Sequence, residues 1–194
     1  MNLELSTSED TATTKHVTNI KYFSRDSPRI TSASLLNYIN KNPGIRYREL
    51  LRLSGVHNGV LSYHLYLLEK KGRIRIHRIR NRMTRYYITQ IPDKDAKVIS
   101  SLKNKMILQI VLHILTHDMC SFSNIVESSG KARSTISWYL NRLKDVGIIS
   151  IESGERCQLY TLTDSKEIKK ILFRYKYVFL DESVDNYVEI MDNL

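Results

Sequence analysis

An internal duplication with an offset of 75 residues constrains the fold of this 194-residue chain more than any other feature. Residues 35–76 align without a gap to residues 110–151, and nine of the 42 aligned pairs are identical. The matches fall mainly on apolar and glycine positions, such as Leu65 with Leu140 and Gly72 with Gly147. Such positions form cores and tight turns, so they are the ones that a shared fold retains. The duplication therefore predicts two copies of one small fold.

Each copy has the pattern of three helices followed by a β-hairpin. Apolar residues recur at helical spacing, and in the third helix Leu61, Leu65 and Leu68 share one face. Gly55 follows the second helix and suits the left-handed conformation at a helix end. An alternation of polar and apolar residues then predicts two strands. The predicted helices span residues 32–42, 46–53, 58–71, 102–117, 121–128 and 134–145. The predicted strands span residues 73–77, 84–89, 148–152 and 157–163.

Positive charge is concentrated in the first copy. The formal net charge of the chain is +10, and residues 28–92 carry thirteen basic and two acidic side chains, a net +11. Residues 179–194, in contrast, carry five acidic side chains and no basic one. A surface that is merely solvated would mix the two signs. The segregation favours an acidic partner, most often a nucleic acid.

The composition also limits the class of protein. No apolar run approaches the ~18 residues of a membrane-spanning helix. The N-terminus is polar and acidic, unlike a secretory signal. Two cysteines, Cys120 and Cys157, do not make a disulfide framework. These features predict a cytoplasmic, reduced protein without a membrane partner.

The first copy resembles a known class of transcriptional regulators. The stretches GIRYRELL (residues 44–51) and SGVHNGVLSYHL (residues 54–65) look like the ArsR/MarR-like winged-helix regulators. The doubled form, with a helical C-terminal extension, is similar to archaeal tandem winged-helix regulators, over about residues 30–178. That family usually has Ser or Thr as the cap of the third helix. Here His57 or Asn58 stands near that place in the first copy, and Ala132 or Arg133 in the second. The resemblance implies a transcriptional regulator that binds double-stranded DNA.

The expected fold is mainly α-helical with small β-hairpin wings, in two tandem winged helix-turn-helix domains plus a C-terminal helical extension. The apolar stripe after residue 165 could pack back on the second domain or pair with another chain, so a homodimer through residues 165–194 is one expectation. The expected divisions are a mobile arm at 1–27, domain 1 at 28–92, a linker at 93–101, domain 2 at 102–164 and the extension at 165–194.

The third helix of domain 1 is the candidate DNA-reading element. Because its leucines face the core, the opposite face must be exposed, and the major groove admits such a helix. The candidate contact residues on that face are Asn58, Gly59, Ser62, Tyr63 and Tyr66. Asn58 could pair with adenine through two hydrogen bonds. Alternatively, the two tyrosines pack on a neighbouring helix or subunit.

The hairpin of domain 1 is the candidate wing. Six arginines and no acidic residue lie between Arg73 and Arg85. Alternation puts Arg73, Arg75 and His77 together on the solvent face, where arginines could clamp phosphates. Arginine at a wing tip suits a narrow minor groove, whose negative potential attracts it. The candidate wing contacts are Arg78, Arg80, Asn81, Arg82 and Arg85.

Domain 2 differs at both elements. Its hairpin turn carries Glu152 and Glu155, which would repel phosphate. Its third helix exposes a second set of candidate contacts, Arg133, Ser134, Ser137 and Trp138. This face could bind a second half-site, or it could support dimerisation with Trp138 as the anchor.

Other functions have weaker support. His113 and His117 lie four residues apart with Cys120 following, but three ligands without a fourth are a thin case for a structural zinc site. We therefore predict no metal and no cofactor. No paired-carboxylate, nucleophile-elbow or phosphate-loop pattern is present, so an enzyme is not expected. The alternatives are a protein–protein interaction module of a transcription or chromatin assembly, and an RNA-binding protein, although RNA readers usually present aromatic stacking platforms.

Overall fold

The computed structural model describes residues 30–79, 83–154 and 157–180. The first half contains α1 (Ser32–Lys41), β1 (Ile45–Arg46), α2 (Tyr47–Ser54), α3 (Asn58–Lys70), β2 (Ile74–Ile79) and β3 (Met83–Ile88). Helix α4 (Asp93–Leu102) follows. The second half contains α5 (Lys105–His117), β4 (Met119–Ser121), α6 (Phe122–Ser129), α7 (Arg133–Asp145), β5 (Ile149–Ser153) and β6 (Gln158–Leu162). Helices α8 (Ser165–Arg174) and α9 (Lys176–Leu180) complete the described chain.

The same order of elements occurs twice. In each half a helix, a short strand and two helices precede a β-hairpin, which is the element order of a winged helix-turn-helix. The expectation of a mainly helical fold with small hairpin sheets is confirmed. The two sheets have the antiparallel orders β1–β3–β2 and β4–β6–β5. Strands β1 and β4 were not predicted, because two or three residues are too few to show an alternation.

A tight turn joins the two helices that precede each hairpin. Gly55 ends α2 and Gly130 ends α6, both in the left-handed conformation, with φ of 65° and 60°. Each glycine amide donates to a carbonyl of the preceding helix, that of Leu51 or Val126. These turns fix the direction in which α3 and α7 leave.

The first half has a core of its own. In α3 the residues at i, i+4 and i+7 are buried, as their spacing predicts. The buried apolar residues of this core are Leu35, Ile39, Ile45, Leu50, Leu61, Leu65, Leu68, Ile74 and Tyr86.

The predicted linker at 93–101 is helix α4, and its apolar face belongs to the core of the second half. Ala96, Ile99 and Leu102 are fully buried there. Tyr87 of β3 joins the same core, and its hydroxyl donates to the Ala96 carbonyl oxygen at 3.1 Å. Burial raises the pKa of the Tyr87 hydroxyl. The segment that connects the two halves is therefore a helix packed on the second half.

Helix α8 packs back on the second half of the same chain. Ile168, Ile171 and Leu172 of α8 and Phe179 of α9 are buried in that core. The apolar stripe that the sequence left open to two uses is thus buried within the chain. The predicted arm at 1–27 and the last residues of the extension, 181–194, lie outside the described residues.

Candidate nucleic-acid interface

The candidate face of α3 is exposed. Leu61, Leu65 and Leu68 hold the opposite face in the core. Tyr63 is 60% exposed and Tyr66 is 58% exposed, so among the described residues neither is buried against a neighbouring helix. All five candidate residues of this helix are exposed, namely Asn58, Gly59, Ser62, Tyr63 and Tyr66.

A tyrosine that the sequence did not single out organises this face. The Tyr47 hydroxyl, on the first residue of α2, donates to Asn58 Oδ1 at 2.5 Å. The Tyr47 hydroxyl oxygen also lies 2.8 Å from Ser62 Oγ and 3.0 Å from the Asn58 carbonyl oxygen. Tyr47 therefore holds two of the candidate contact residues in one orientation. Position 47 pairs with Phe122 across the duplication, and this aromatic-for-aromatic match could have drawn attention to it.

His57, and not Asn58, is the N-cap of α3. Its backbone is extended, with φ of −70° and ψ of 149°, and it makes no side-chain cap hydrogen bond. Asn58 is the first helical residue, so its amide points from the start of the helix toward Tyr47. Of the two places left open by the sequence, the cap is residue 57.

The wing tip lies outside the described residues. Arg80, Asn81 and Arg82 fall there, so their predicted contacts stay predictions. Arg78 is described and 69% exposed, with Nη2 3.5 Å from Glu69 Oε1. Such an exposed pair contributes little, and Arg78 is available to a phosphate.

The sequence predicts Arg85 as an exposed wing residue, but the structure buries its side chain. It is only 6% exposed, and its Nη1 donates to the Gly44 carbonyl oxygen at 2.7 Å. The physical reason is strand β1, which pairs with β3 and makes β3 the central strand of the sheet. A residue expected on an open hairpin is thereby enclosed, so the Arg85 side chain is not presented to solvent.

Two other basic residues of the hairpin are engaged within the chain. Arg75 Nη1 lies 2.5 Å from Asp93 Oδ1, and His77 Nε2 lies 3.5 Å from the same oxygen. Arg75 also donates to the Ile91 carbonyl oxygen. The sequence predicts Arg75 and His77 on the solvent face, but in the structure both side chains contact Asp93 in the first turn of α4. Arg73 is exposed.

The candidate face of α7 is exposed as well. Trp138 is 56% exposed, and the Arg142 guanidinium lies 5.6 Å from its ring centroid. The Arg133 guanidinium lies 4.9 Å from the ring centroid of Phe122. Because Phe122 and Arg133 are the counterparts of Tyr47 and Asn58, this contact stands where the first half has the Tyr47–Asn58 hydrogen bond. The candidate residues Arg133, Ser134, Ser137 and Trp138 are all exposed. The turn residues Glu155 and Arg156 lie outside the described part of the chain.

Three side chains with metal-ligating atoms come together at the end of α5 and the start of β4. One ligand atom from each of His113, His117 and Cys120 lies within 4.8 Å of the others. Burial lowers the pKa of His113, and the neighbouring His117 lowers it further. Burial raises the pKa of the Cys120 thiol.

No single helix among residues 30–79, 83–154 and 157–180 is long and apolar enough to cross a membrane. Helices α4 and α5 meet the length and composition criteria only as a pair, across a bend of 105°.

Comparison with known proteins gives a curated relative and a similar solved structure. No family model matches the chain. Over 134 residues the chain is 30% identical to an uncharacterized HTH-type transcriptional regulator of Methanocaldococcus jannaschii. The alignment covers 67% of this chain and 33% of the relative, so the chain spans about a third of the length of the curated relative that it matches. The resemblance to helix-turn-helix transcriptional regulators is confirmed.

A solved structure is also similar. It is the homodimeric winged helix-turn-helix DNA-binding domain of a possible ArsR-family transcriptional regulator from Mycobacterium bovis, determined by solution NMR. The similarity has a TM-score of 0.39 and 24% sequence identity, and it covers 48% of this chain and 84% of that one.

Proposed function

We propose that this chain is a sequence-specific transcriptional regulator that binds double-stranded DNA. The observation that carries the proposal is the exposed polar and aromatic face of α3, whose other face is anchored in the core. The net +11 of residues 28–92 supplies the complementary charge for a phosphate backbone. In this proposal the protein works in the cytoplasm, which the sequence also predicts.

Helix α3 enters the major groove in this proposal. The N-terminal half of a recognition helix reaches the base edges, and Asn58 and Ser62 lie in that half. Asn58 reads adenine through its amide, and the Tyr47 hydroxyl holds that amide in place before DNA arrives. Tyr63 and Tyr66 contact phosphates or thymine methyl groups beside the reading residues.

The wing supplies contacts to the backbone and the minor groove. Arg80 and Arg82 are the proposed minor-groove residues, and Arg78 at 69% exposure is a proposed phosphate contact. Arg85 and Arg75 are not part of this set, because both are engaged within the chain.

Helix α7 is proposed as a second DNA-reading helix for an adjacent half-site. Its exposed Arg133, Ser134 and Ser137 are suited to phosphate and base contacts, and Trp138 stands beside them. The acidic turn of the second hairpin keeps that wing away from phosphate.

We also propose a homodimer through the C-terminal extension. Because the stripe of α8 is buried, the described part of the extension offers a second copy the exposed pair Phe173 and Tyr177, at 68% and 73% exposure. A dimer predicts a palindromic site with half-sites spaced by turns of ~10.5 base pairs, whereas a monomer predicts two adjacent sites. Light scattering of the wild type and of a Phe173→Ser, Tyr177→Ser variant measures the mass directly.

The test of DNA binding is fluorescence anisotropy at several salt concentrations. The specific duplex is selected from random DNA, and its shuffled version is the control. We expect a steep salt dependence and a preference of about 10³-fold or more for the selected duplex. An absence of selection would refute sequence specificity.

The wing has its own matched test. Replacing Arg80 and Arg82 by Ala should weaken all duplex binding and reduce the salt slope by roughly 1–2 units. The control removes the same charge elsewhere, with Ala at Lys94 and Lys97, which are exposed on α4. If both pairs have equal effects, the wing has no special role.

The rival function is a protein–protein module, in which Tyr63, Tyr66 and Trp138 anchor a partner through their exposed rings. No duplex binding at low salt would favour this rival. Tighter binding to single-stranded or structured RNA than to duplex DNA would favour an RNA partner instead.

A further inference from the structure

The end of α5 and the start of β4 gather three groups with the chemistry of transition-metal ligands. His113 and His117 are one helical turn apart, and their ring centroids are 4.4 Å apart. Cys120 follows in β4, where it pairs with Tyr160 of β6. Asp118 turns the chain between these elements with a positive φ of 57°. The turn brings the thiol back beside the two imidazoles.

Both imidazoles present a nitrogen that suits a metal. His117 Nδ1 lies 2.8 Å from the His113 carbonyl oxygen, which accepts its proton. In the neutral imidazole, a proton on Nδ1 leaves the free lone pair on Nε2, which is the arrangement common in a ligating histidine. His113 Nε2 is buried, and the described residues offer it no hydrogen-bond partner.

The duplication provides an internal comparison. The counterparts of His113, His117 and Cys120 in the first half are Tyr38, Asn42 and Ile45. Ile45 and Cys120 are both 2% exposed, so core packing explains why position 120 is buried. Core packing does not explain two histidines beside it, because the same fold forms with tyrosine and asparagine at those positions.

We propose that His113, His117 and Cys120 form a three-ligand site for Zn²⁺, with a water molecule as the fourth ligand. Imidazole and thiolate together favour Zn²⁺ over the hard cations Mg²⁺ and Ca²⁺. Tetrahedral bonds of about 2.0–2.3 Å put neighbouring ligand atoms about 3.3–3.6 Å apart. One ligand atom from each of the three side chains lies within 4.8 Å of the others, so side-chain rotations suffice to close the site. On binding, the thiol loses its proton to solvent and the sulfur bonds the metal.

This site differs from the four-ligand structural zinc site that the sequence made improbable. Three protein ligands and an open position are the pattern of sites that exchange a ligand. His117 is exposed and gives the metal a path from solvent. The site also adjoins Ser121, whose hydroxyl caps α6, the helix that precedes α7. A bound metal therefore ties the start of α6 to the end of α5.

The experiment is a titration of the reduced full-length chain, freed of metal by chelation, with Co²⁺ and then Zn²⁺. We expect one equivalent of Co²⁺ to produce the intense visible bands of tetrahedral cobalt and a near-ultraviolet thiolate charge-transfer band. Zn²⁺ should displace the cobalt and abolish both. No bands, or bands typical of octahedral cobalt, would overturn the proposal, and so would binding of Cu⁺ without Zn²⁺ or Co²⁺.

Matched variants assign the ligands. Cys157→Ser is the control, because Cys157 is an exposed cysteine outside the cluster, and it should bind as the wild type does. Cys120→Ser should lose the charge-transfer band. His117→Asn installs the residue of the first half at an exposed position, so the fold should be kept, as circular dichroism can verify. It should weaken binding on the order of tenfold or more. Wild-type affinity in His117→Asn would overturn the proposal. Neither readout requires DNA, so a failure here is distinct from a failure of DNA binding.

Discussion

Replacing Tyr47 by Phe tests whether the face of α3 is organised before DNA binds. The change removes one hydroxyl and keeps the ring at the start of α2. The hydroxyl contacts Asn58 Oδ1 at 2.5 Å and Ser62 Oγ at 2.8 Å. All of these groups are near solvent, so water replaces the lost bonds. We expect the free energy of unfolding to fall by no more than about 1 kcal/mol.

The effect on specific DNA binding should be larger than the effect on stability. Without the hydroxyl, Asn58 samples several rotamers and must be ordered when it contacts a base. Ordering one such side chain costs about 0.5–1.5 kcal/mol. That cost weakens binding to the selected duplex by about 2- to 12-fold. Binding to the shuffled duplex should not change, because Asn58 makes no base-specific contact there.

A double-mutant cycle isolates the route of the effect. Asn58→Ala alone should reduce discrimination by ~1–3 kcal/mol. Because residue 57 is the cap, this loss cannot be ascribed to helix capping. In the Asn58→Ala background, Tyr47→Phe should have no further effect on anisotropy-measured affinity. Additive losses, or an equal loss on the shuffled duplex, would refute the argument that Tyr47 acts by orienting Asn58.

The remaining predictions concern stability. Tyr87→Phe removes the hydrogen bond from the buried hydroxyl to the Ala96 carbonyl oxygen and should lower the free energy of unfolding in urea by about 0.5–1.5 kcal/mol. Because burial raises the pKa of Tyr87, its stabilisation is complete below the unfolded-state pKa of about 10 and is lost as the pH rises above it. The Phe variant should therefore lose less stability than the wild type between pH 9 and about pH 11, as thermal melts can show. Arg85→Met removes the hydrogen bond to Gly44 and should cost about 1.5–3 kcal/mol without changing the salt slope of DNA binding. Arg78→Met should reduce the salt slope of DNA binding and leave the free energy of unfolding nearly unchanged. A reduced salt slope in the Arg85 variant would show that Arg85 contacts DNA after all.

The helices were predictable because each buries one face. The spacing of Leu61, Leu65 and Leu68 is set by the 3.6-residue period, and no tertiary information is needed to see it. Strand β1 was not predictable, because two residues carry no period and its pairing with β3 is a contact across 40 residues. The helical form of the predicted linker was missed because this segment lies outside the duplicated stretch, although Ala96, Ile99 and Leu102 do share a face.

The site shows the same division. Which residues of α3 are exposed followed from the leucines, since a helix with one buried face exposes the other. The burial of Arg85 did not follow, because it depends on the unseen strand β1. The role of Tyr47 depends on a contact between α2 and α3 that only the turn at Gly55 creates. Local period predicts which face is exposed, whereas the partners of each side chain depend on tertiary pairing.

The two halves have the same order of elements and differ in the contacts that equivalent positions make. Position 87 is a buried tyrosine that enters the core of the second half, while its counterpart Thr161 bonds Ser150 within its own sheet. Positions 47 and 58 form a hydrogen bond, whereas their counterparts Phe122 and Arg133 form a cation–π contact. In each half the first residue of one helix steadies the first residue of the next, by a different interaction. In the proposed function these different interactions present different chemistry to DNA, so α3 and α7 should read different sequences, and the full site should be asymmetric within one chain.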